Sequence, residues 1–112
     1  MIEPRLKTNL WISAQIRLCD MAFIPAGVAR RGDSDAGQVM ILRNLLDGTF
    51  ELFARTTDLD GARVWRCATG PDPVDYQAAE KLIAREAEFD PDIWVLEIED
   101  RDRKYELDAP VI

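Results

Sequence analysis

The strongest constraint in the sequence is a pair of strand-like segments joined by the dipeptide Asp47-Gly48. Residues 38–46 and 49–56 are rich in aliphatic, aromatic and threonine side chains, which favour extended backbone. An Asp-Gly pair between two such segments is typical of a type I′ turn, because both central residues of that turn need a positive φ angle. The sequence therefore predicts an antiparallel hairpin at the centre of the fold.

A two-residue turn would also determine which side chains of the hairpin are neighbours. It would place Leu45 opposite Phe50 and, in the same register, Arg43 opposite Leu52. One face of the hairpin would then be a core face, on which Arg43 is the exception: Val39, Ile41, Leu45, Phe50, Leu52 and Ala54. The other face is half apolar, so we expect part of it to be covered as well.

A first helix is predicted before the hairpin. Apolar residues from Leu10 to Met21 recur at helical spacing, and Thr8 or Asn9 can accept a hydrogen bond from a free amide at its start. Residues 10–18 also alternate between apolar and polar, as a strand would. The length of the segment favours the helix.

A second helix is predicted after the hairpin. Asp72 is a suitable N-cap, Pro73 suits the first helical position, and Asp75 lies in the first turn. The pattern ends near Phe89. Four apolar residues form the predicted inner stripe: Ala79, Leu82, Ile83 and Phe89.

Three further segments, residues 27–31, 62–69 and 93–99, are predicted strands. In the last of them Trp94, Leu96 and Ile98 would share one face. The element order is helix, three or four strands, helix, strand. This order predicts a two-layer α+β domain with a mostly antiparallel sheet of four to five strands and two helices.

The length of 112 residues predicts a single domain over residues 1–112. We expect residues 1–7 and 109–112 to be flexible ends. Three tryptophans, Trp11, Trp65 and Trp94, are expected in the core, because their large side chains dominate core packing.

The chain contains no histidine, which excludes histidine-based acid/base pairs, nucleophile systems and metal ligands. Its two cysteines, Cys19 and Cys67, are far apart and are expected to be reduced thiols. The first residues lack the pattern of a signal peptide, and the apolar runs are far shorter than the ~20 residues that span a bilayer. We therefore expect a cytoplasmic protein without a membrane contact.

Acidic residues are unevenly distributed along the chain. The net charge is -7, and residues 1–56 carry a small positive excess while residues 57–112 carry the whole acidic surplus. Nucleic acid is thus the least expected partner, because contacts to phosphates need clustered Lys and Arg. The surplus is compatible with a basic protein partner or with cation binding.

Four segments resemble a small bacterial family known as domain of unknown function 1491. They are Leu10-Trp11-Ile12 with Ala14, Arg17 and Cys19; residues 30–37; residues 46–49; and the run from Phe89 to Trp94 and Val95 followed by residues 97–101. The resemblance covers about residues 6 to 107. It implies a single small cytoplasmic domain, and it supplies no catalytic residues because the family has no established activity.

Two sets of charged residues are candidate sites. Glu97, Glu99, Asp100 and Asp102 form the densest acidic cluster, and Glu97, Glu99 and Asp102 are the candidate ligands for a divalent cation. Arg30, Arg31 and Arg43 are candidate ligands for an anion, or partners of the Glu97–Asp102 segment, since an arginine on an apolar face needs a carboxylate.

The leading functional hypothesis is a binding or interaction module without catalytic activity. It would form a homodimer, or bind another protein, through a face or an edge of the sheet. The alternatives are a metal-dependent hydrolase that uses the acidic cluster and an anion-binding module that uses the three arginines. No cofactor and no nucleic-acid or membrane partner is expected.

Overall fold

The structure, a computed structural model that describes residues 7–112, contains two helices and five strands. The helices are α1 (Thr8–Met21) and α2 (Tyr76–Phe89). The strands are β1 (Ala26–Arg30), β2 (Val39–Asn44), β3 (Phe50–Thr57), β4 (Arg63–Cys67) and β5 (Trp94–Glu99). The predicted order of elements is confirmed, and residues 10–18 are helical. Residues 1–6 of the predicted flexible end lie outside the described residues.

The strands form one open sheet in the order β1-β5-β2-β3-β4. The last strand, β5, lies between β1 and β2; it is antiparallel to β1 and parallel to β2. The pairs β2-β3 and β3-β4 are antiparallel. The predicted α+β class and mostly antiparallel sheet are confirmed. The parallel pair is possible because the long connection through α2 returns the chain to the end at which β2 begins.

The two helices pack on opposite faces of the sheet, which gives three layers where the sequence predicts two. On the face of α1, Trp11 and Ile12 pack with Ile41 of β2. On the face of α2, Ala79 packs with Met40 and other residues of β2 and β3. Because β2 is apolar on both faces, both faces need a cover. The expectation that the second hairpin face is partly covered is confirmed.

The predicted register of the hairpin is wrong by one residue. Arg43 lies opposite Glu51, and Leu42 lies opposite Leu52. The connection is longer than two residues: the Leu45 amide donates to the Thr49 carbonyl, at 3.0 Å. A shift by one residue moves every side chain of one strand to the other face.

The faces of β3 are therefore exchanged relative to the prediction. Phe50, Leu52 and Ala54 pack in the cluster beneath α2, whereas Phe53 packs in the cluster beneath α1. Positive φ angles occur at Leu46 and Gly48, so Asp47-Gly48 is not the type I′ pair that the sequence suggests. Side-chain hydrogen bonds stabilise the longer loop instead, with the Asn44 Oδ1 accepting from the Leu46 amide at 2.9 Å.

Both helices begin differently from the prediction. Neither Thr8 nor Asn9 caps α1 through its side chain; their amides donate to the carbonyls of Asp35 and Ser34, at 3.2 and 3.0 Å. At α2 the N-cap is Asp75, whose side chain accepts from the Ala78 amide at 2.8 Å. The predicted start at Asp72 and Pro73 is wrong, because Val74 pairs with Phe50 of β3 before the helix begins.

Phe89 is not part of the inner stripe of α2. Its side chain is 82% exposed, whereas Ala79, Leu82 and Ile83 pack in the cluster beneath the helix as predicted. Phe89 is the last residue of the helix, just before the turn that leads into β5. Within residues 7–112, neither helix is long and apolar enough to cross a bilayer.

All three tryptophans are buried in the core beneath α1, as predicted. Their indole N–H groups have partners: Trp11 and Trp65 donate to the two oxygens of the Asp108 carboxylate, at 3.0 and 2.9 Å. Trp94 donates to the Asp33 carbonyl at 2.7 Å. Each buried ring is therefore held in one orientation by a hydrogen bond.

The loop between β1 and β2 packs against the start of β5. Asp33 donates its amide to the Asp92 carbonyl at 3.0 Å. Gly32 and Gly37 lie on either side of this contact, and a Cβ on either one would overlap the Asp92 carbonyl oxygen and the Trp94 ring. The two glycines are thus required by a close approach of two backbone segments.

The C-terminal residues lie along the outer edge of β4. The Trp65 amide donates to the Pro110 carbonyl, and the Ile112 amide donates to the Trp65 carbonyl, both at 2.8 Å. Val111 forms an isolated parallel bridge with Trp65. Part of the segment predicted as a flexible end therefore has defined backbone partners in the fold.

We expect Gly32→Ala to destabilise the fold strongly, by about 3 kcal/mol, because the new methyl group cannot fit beside the Asp92 backbone. Gly27→Ala is the matched control: the position has open space and lies in a strand, so the change should stay within about 0.5 kcal/mol. Urea unfolding measures both variants. Equal stability of the two variants would contradict the close approach.

Candidate functional site

Arg43 is buried beneath α1, although it is one of the candidate anion ligands. Its Nη1 lies 3.3 Å from Glu51 Oε1, and its Nη2 donates to the Tyr105 carbonyl at 2.7 Å. The guanidinium also lies over the Phe53 ring, 5.4 Å from its centroid. The Nε lies 3.4 Å from Asp100 Oδ2, at an angle that does not make a hydrogen bond, so this contact is an ion pair only.

Asp100 is the second buried charge of this cluster. Its Oδ1 accepts from the Lys104 amide and its Oδ2 from the Tyr105 amide, both at 2.8 Å. The carboxylate thus folds the turn after β5 back towards the hairpin. The expectation that a hairpin arginine pairs with the Glu97–Asp102 segment is confirmed for Arg43 and Asp100. The second partner, Glu51, is not predicted, because the predicted hairpin register is wrong by one residue.

The other two candidate arginines lie elsewhere. Arg30 donates from Nη2 to the Pro91 carbonyl at 3.1 Å, and the Arg31 guanidinium lies 5.3 Å from the centroid of the Trp94 ring. Both support the contact between the β1–β2 loop and the start of β5. Since Arg43 is enclosed by its own partners, the structure does not bring the three arginines together around a common space.

The four acidic residues also separate. Asp100 is buried in the arginine cluster, Asp102 is exposed in the following turn, and Glu97 and Glu99 lie on the face of α2. Among residues 7–112 there is no group of three or more carboxylate or cysteine side chains placed to hold a metal ion. The structure therefore brings together only Glu97 and Glu99 of the predicted ligands.

Glu97 and Glu99 border a shallow depression along β1. The depression has a volume of about 340 Å³ and is lined by residues 25–29 together with the two glutamates. Glu97 lies directly opposite Gly27 in the β1-β5 pair. Within the described part of the chain, neither glutamate takes part in an ion pair or a side-chain hydrogen bond. We call residues 25–29 with Glu97 and Glu99 the β1 edge surface.

The outer edge of β1 is not covered by any of residues 7–112. β1 is the terminal strand of the sheet, and among the described residues no segment pairs with its outer side. Residues 27–29 are exposed, and the side chain of Val28 is 43% exposed. The opposite edge, β4, differs because the C-terminal residues hydrogen-bond along it.

A groove on the face of α2 adjoins this edge. It has a volume of about 330 Å³, and its apolar lining comes from Ala29, Val95 and the side of α2 that carries Ile83 and Ala87. Its rim is polar, with Arg30 and Glu97 from the sheet. An apolar groove with a few polar groups is the usual form of a binding site.

A polar cavity of about 350 Å³ lies on the other side of the molecule, at the start of α1. Arg55 and Arg63 line it together with Thr8, Trp11 and the residues around Gly37. No sequence signal marks this cavity. Its residues come from four separate segments that meet only in the fold.

The two cysteines have the features of structural thiols. Cys19 is buried in the core, and burial, followed by the nearby Asp100, raises the pKa of its thiol. A raised pKa disfavours the thiolate, which is the reactive form. Cys67 is half buried, and its Sγ donates to the Gly70 carbonyl at 3.3 Å.

Comparison with known proteins gives one family. The family described as Protein of unknown function (DUF1491) matches residues 6–108. A crystal structure of a DUF1491 family protein from Caulobacter crescentus CB15 is 38% identical, with a TM-score of 0.83 over 96% of this chain and 100% of that chain. An NMR structure of a DUF1491 family protein from the same organism gives 38% identity and a TM-score of 0.78 over 98% and 99% of the two chains.

A solution structure of a protein from A. tumefaciens is more distant. It is 28% identical and has a TM-score of 0.74 over 93% of this chain and 90% of that chain. The comparison with curated proteins gives no match. These similarities extend over nearly the whole length of each chain, so they concern the complete fold described above.

We expect Asp100→Asn to destabilise the protein by about 3 kcal/mol, because it leaves the buried Arg43 with one carboxylate fewer and an amide cannot accept both backbone hydrogen bonds. The control is Asp102→Asn in the exposed turn, which should stay within about 0.5 kcal/mol. Urea unfolding compares the two. A similar small effect of both changes would show that Asp100 is not needed to balance Arg43.

We expect the stability to fall at alkaline pH. Burial, followed by the nearby Cys19, raises the pKa of Tyr105 above the value of 10.0 that the free side chain has. The stabilisation that the protonated Tyr105 hydroxyl contributes is therefore complete below about pH 10. It is lost as the pH rises above this value, because the tyrosine of the unfolded chain releases its proton first. Tyr105→Phe should flatten the fall in the unfolding free energy above about pH 10. Identical pH slopes of wild type and variant would contradict this assignment.

Proposed function

The chain belongs to the DUF1491 family of proteins of unknown function, as its motifs indicate, and we propose that it is a binding module whose binding surface is the β1 edge surface. A partner would add an extended segment to the outer edge of β1 and so extend the sheet. Strand addition at an exposed edge is a common mode of peptide and protein recognition.

The open edge of β1 is the observation that carries this proposal. An uncovered edge presents backbone donors and acceptors that can pair with another chain, and proteins usually cover or shorten such edges. Here the β4 edge is covered by residues 110–112, while the β1 edge is not covered by any described residue. Because one edge of the sheet is covered and the other is not, we infer that the open edge binds a partner strand.

The backbone groups available at this edge follow from the pairing with β5. The Glu99 amide donates to the Pro25 carbonyl at 2.8 Å, so Pro25 and, two residues later, Gly27 face β5. Ala26 and Val28 therefore direct their amides and carbonyls outward. The register shift after Val28 ends the regular ladder, which limits the free edge to residues 26–28.

Three observations favour binding over catalysis. The chain has no histidine, and its buried cysteine has a raised pKa. The described carboxylates do not converge on a metal site. A cytoplasmic location fits two free thiols and belongs to the same proposal.

The simplest partner for the open edge is a second copy of the chain. Antiparallel pairing of two β1 strands would satisfy the outward groups of both copies through a two-fold axis. We therefore propose that the isolated protein forms a homodimer through β1, and that an extended segment of another protein competes for the same edge.

We expect light scattering coupled to size-exclusion chromatography to show a dimer that dissociates on dilution. Val28→Pro should give a monomer, because it removes an outward amide without removing a bond to β5. Val28→Thr is the matched control, since it keeps both the amide and a β-branched side chain. Its dimer should persist.

A wild-type monomer at millimolar concentration would contradict the homodimer. If backbone NMR signals of residues 26–28 also stay unchanged when extended peptides are added, strand addition itself is contradicted.

A further inference from the structure

We infer that the segment of another protein which competes for β1 is basic, with Lys or Arg at alternate positions, one of which reaches Glu97 across Gly27 while the next lies towards Glu99. The inference rests on strand addition at β1 and adds the chemistry of the partner. It assigns a role to Glu97 and Glu99, the two candidate metal ligands that line the β1 edge surface.

The two glutamates face the same side of the sheet as every second side chain of a bound strand would. Glu97 and Glu99 are two residues apart in β5, so both project on the α2 side, about 7 Å apart. Neither has a cationic partner among residues 7–112, while the nearby Arg30 donates to the Pro91 carbonyl. Two carboxylates are thus available at the spacing of alternate strand residues.

Gly27 leaves the path from the edge to Glu97 open. It lies directly opposite Glu97, and a Cβ placed on it would meet no atom within 4 Å. An added strand would lie two strand spacings from β5, about 10 Å. A Lys or Arg side chain that leans inward over Gly27 and a Glu97 side chain that leans outward can meet across this distance.

The other side of the added strand has different neighbours. Val28 lies opposite Leu96, so it faces the α1 side, where its side chain is 43% exposed. Residues of the partner between the basic positions would project on this side and pack against Val28. The surface therefore fits an alternating pattern of basic and apolar residues in an extended segment.

The charge of the whole chain supports the same partner. The net charge is -7, and the surplus of acidic residues lies in the half of the sequence that contains β5. A field of this sign accelerates the encounter with a basic segment and slows that with an acidic one. The effect should weaken as the salt concentration rises.

Three synthetic peptides of equal length test the inference: one alternates Lys and Val, one alternates Thr and Val, and one alternates Glu and Val. Isothermal titration calorimetry with the full chain measures each affinity. We expect the Lys peptide to bind about fivefold more tightly than the Thr peptide, as two partly exposed ion pairs would give, and the Glu peptide to bind least. The binding should also shift the proposed dimer to monomers, because both use the same edge.

Two variants test whether the preference for the Lys peptide comes from the two glutamates and the open path over Gly27. The double variant Glu97→Gln with Glu99→Gln should bind the Lys and Thr peptides equally, because the carboxylates are gone and the backbone edge is intact. Gly27→Thr should reduce the preference for Lys as well, because a β-branched side chain would occupy the open path. In both variants the Thr peptide should bind as it does to the wild type.

The outcomes separate the two proposals. If the Lys and Thr peptides bind the wild type equally and Val28→Pro abolishes both, strand addition is supported and the basic partner is overturned. If the Lys peptide binds Val28→Pro as tightly as the wild type, contact with the edge is overturned. If no peptide binds and no dimer forms, both proposals fall.

Discussion

The position of β5 between β1 and β2 determines the rest of the structure. As the last strand in sequence and a central strand in space, it joins the hairpin sheet to β1, which would otherwise have no partner. Its parallel pairing with β2 places two largely apolar strands side by side, and residues 94–96 are buried on both faces like most of β2, so one helix is needed on each side. The loop from β1 to β2 must then cross the start of β5, and the two glycines at positions 32 and 37 make that crossing possible.

The same strand distributes the acidic residues between two different roles. Glu97 and Glu99 project on the α2 side near the open edge, where neither forms an ion pair with a described residue. Asp100 follows directly after the strand and turns into the α1 side, where it faces the buried Arg43. One dense acidic cluster in the sequence thus becomes a structural carboxylate and a pair of surface carboxylates. Alternation along the strand is the reason, because adjacent residues face opposite sides.

Much of the fold could be predicted from periodicity and from strong breakers. The two helices, the five strands, the buried tryptophans and the inner stripe of α2 at Ala79 and Leu82 follow from local patterns, which each segment carries by itself. The hairpin register could not be predicted. Loop length depends on side-chain hydrogen bonds around Asn44 and Asp47, and a difference of one residue exchanges the two faces of β3.

The sequence by itself determined the element order, the class of the fold, the acidic balance and the family motifs. It also excluded histidine chemistry. Only the tertiary structure decided which acidic residues become partners of Arg43, which of the three candidate arginines are enclosed, and which strand has an open edge. These depend on the strand order and on register, which arise from contacts between residues far apart in sequence. An edge is a property of the assembled sheet, so no local pattern in β1 could reveal that its outer side has no partner among residues 7–112.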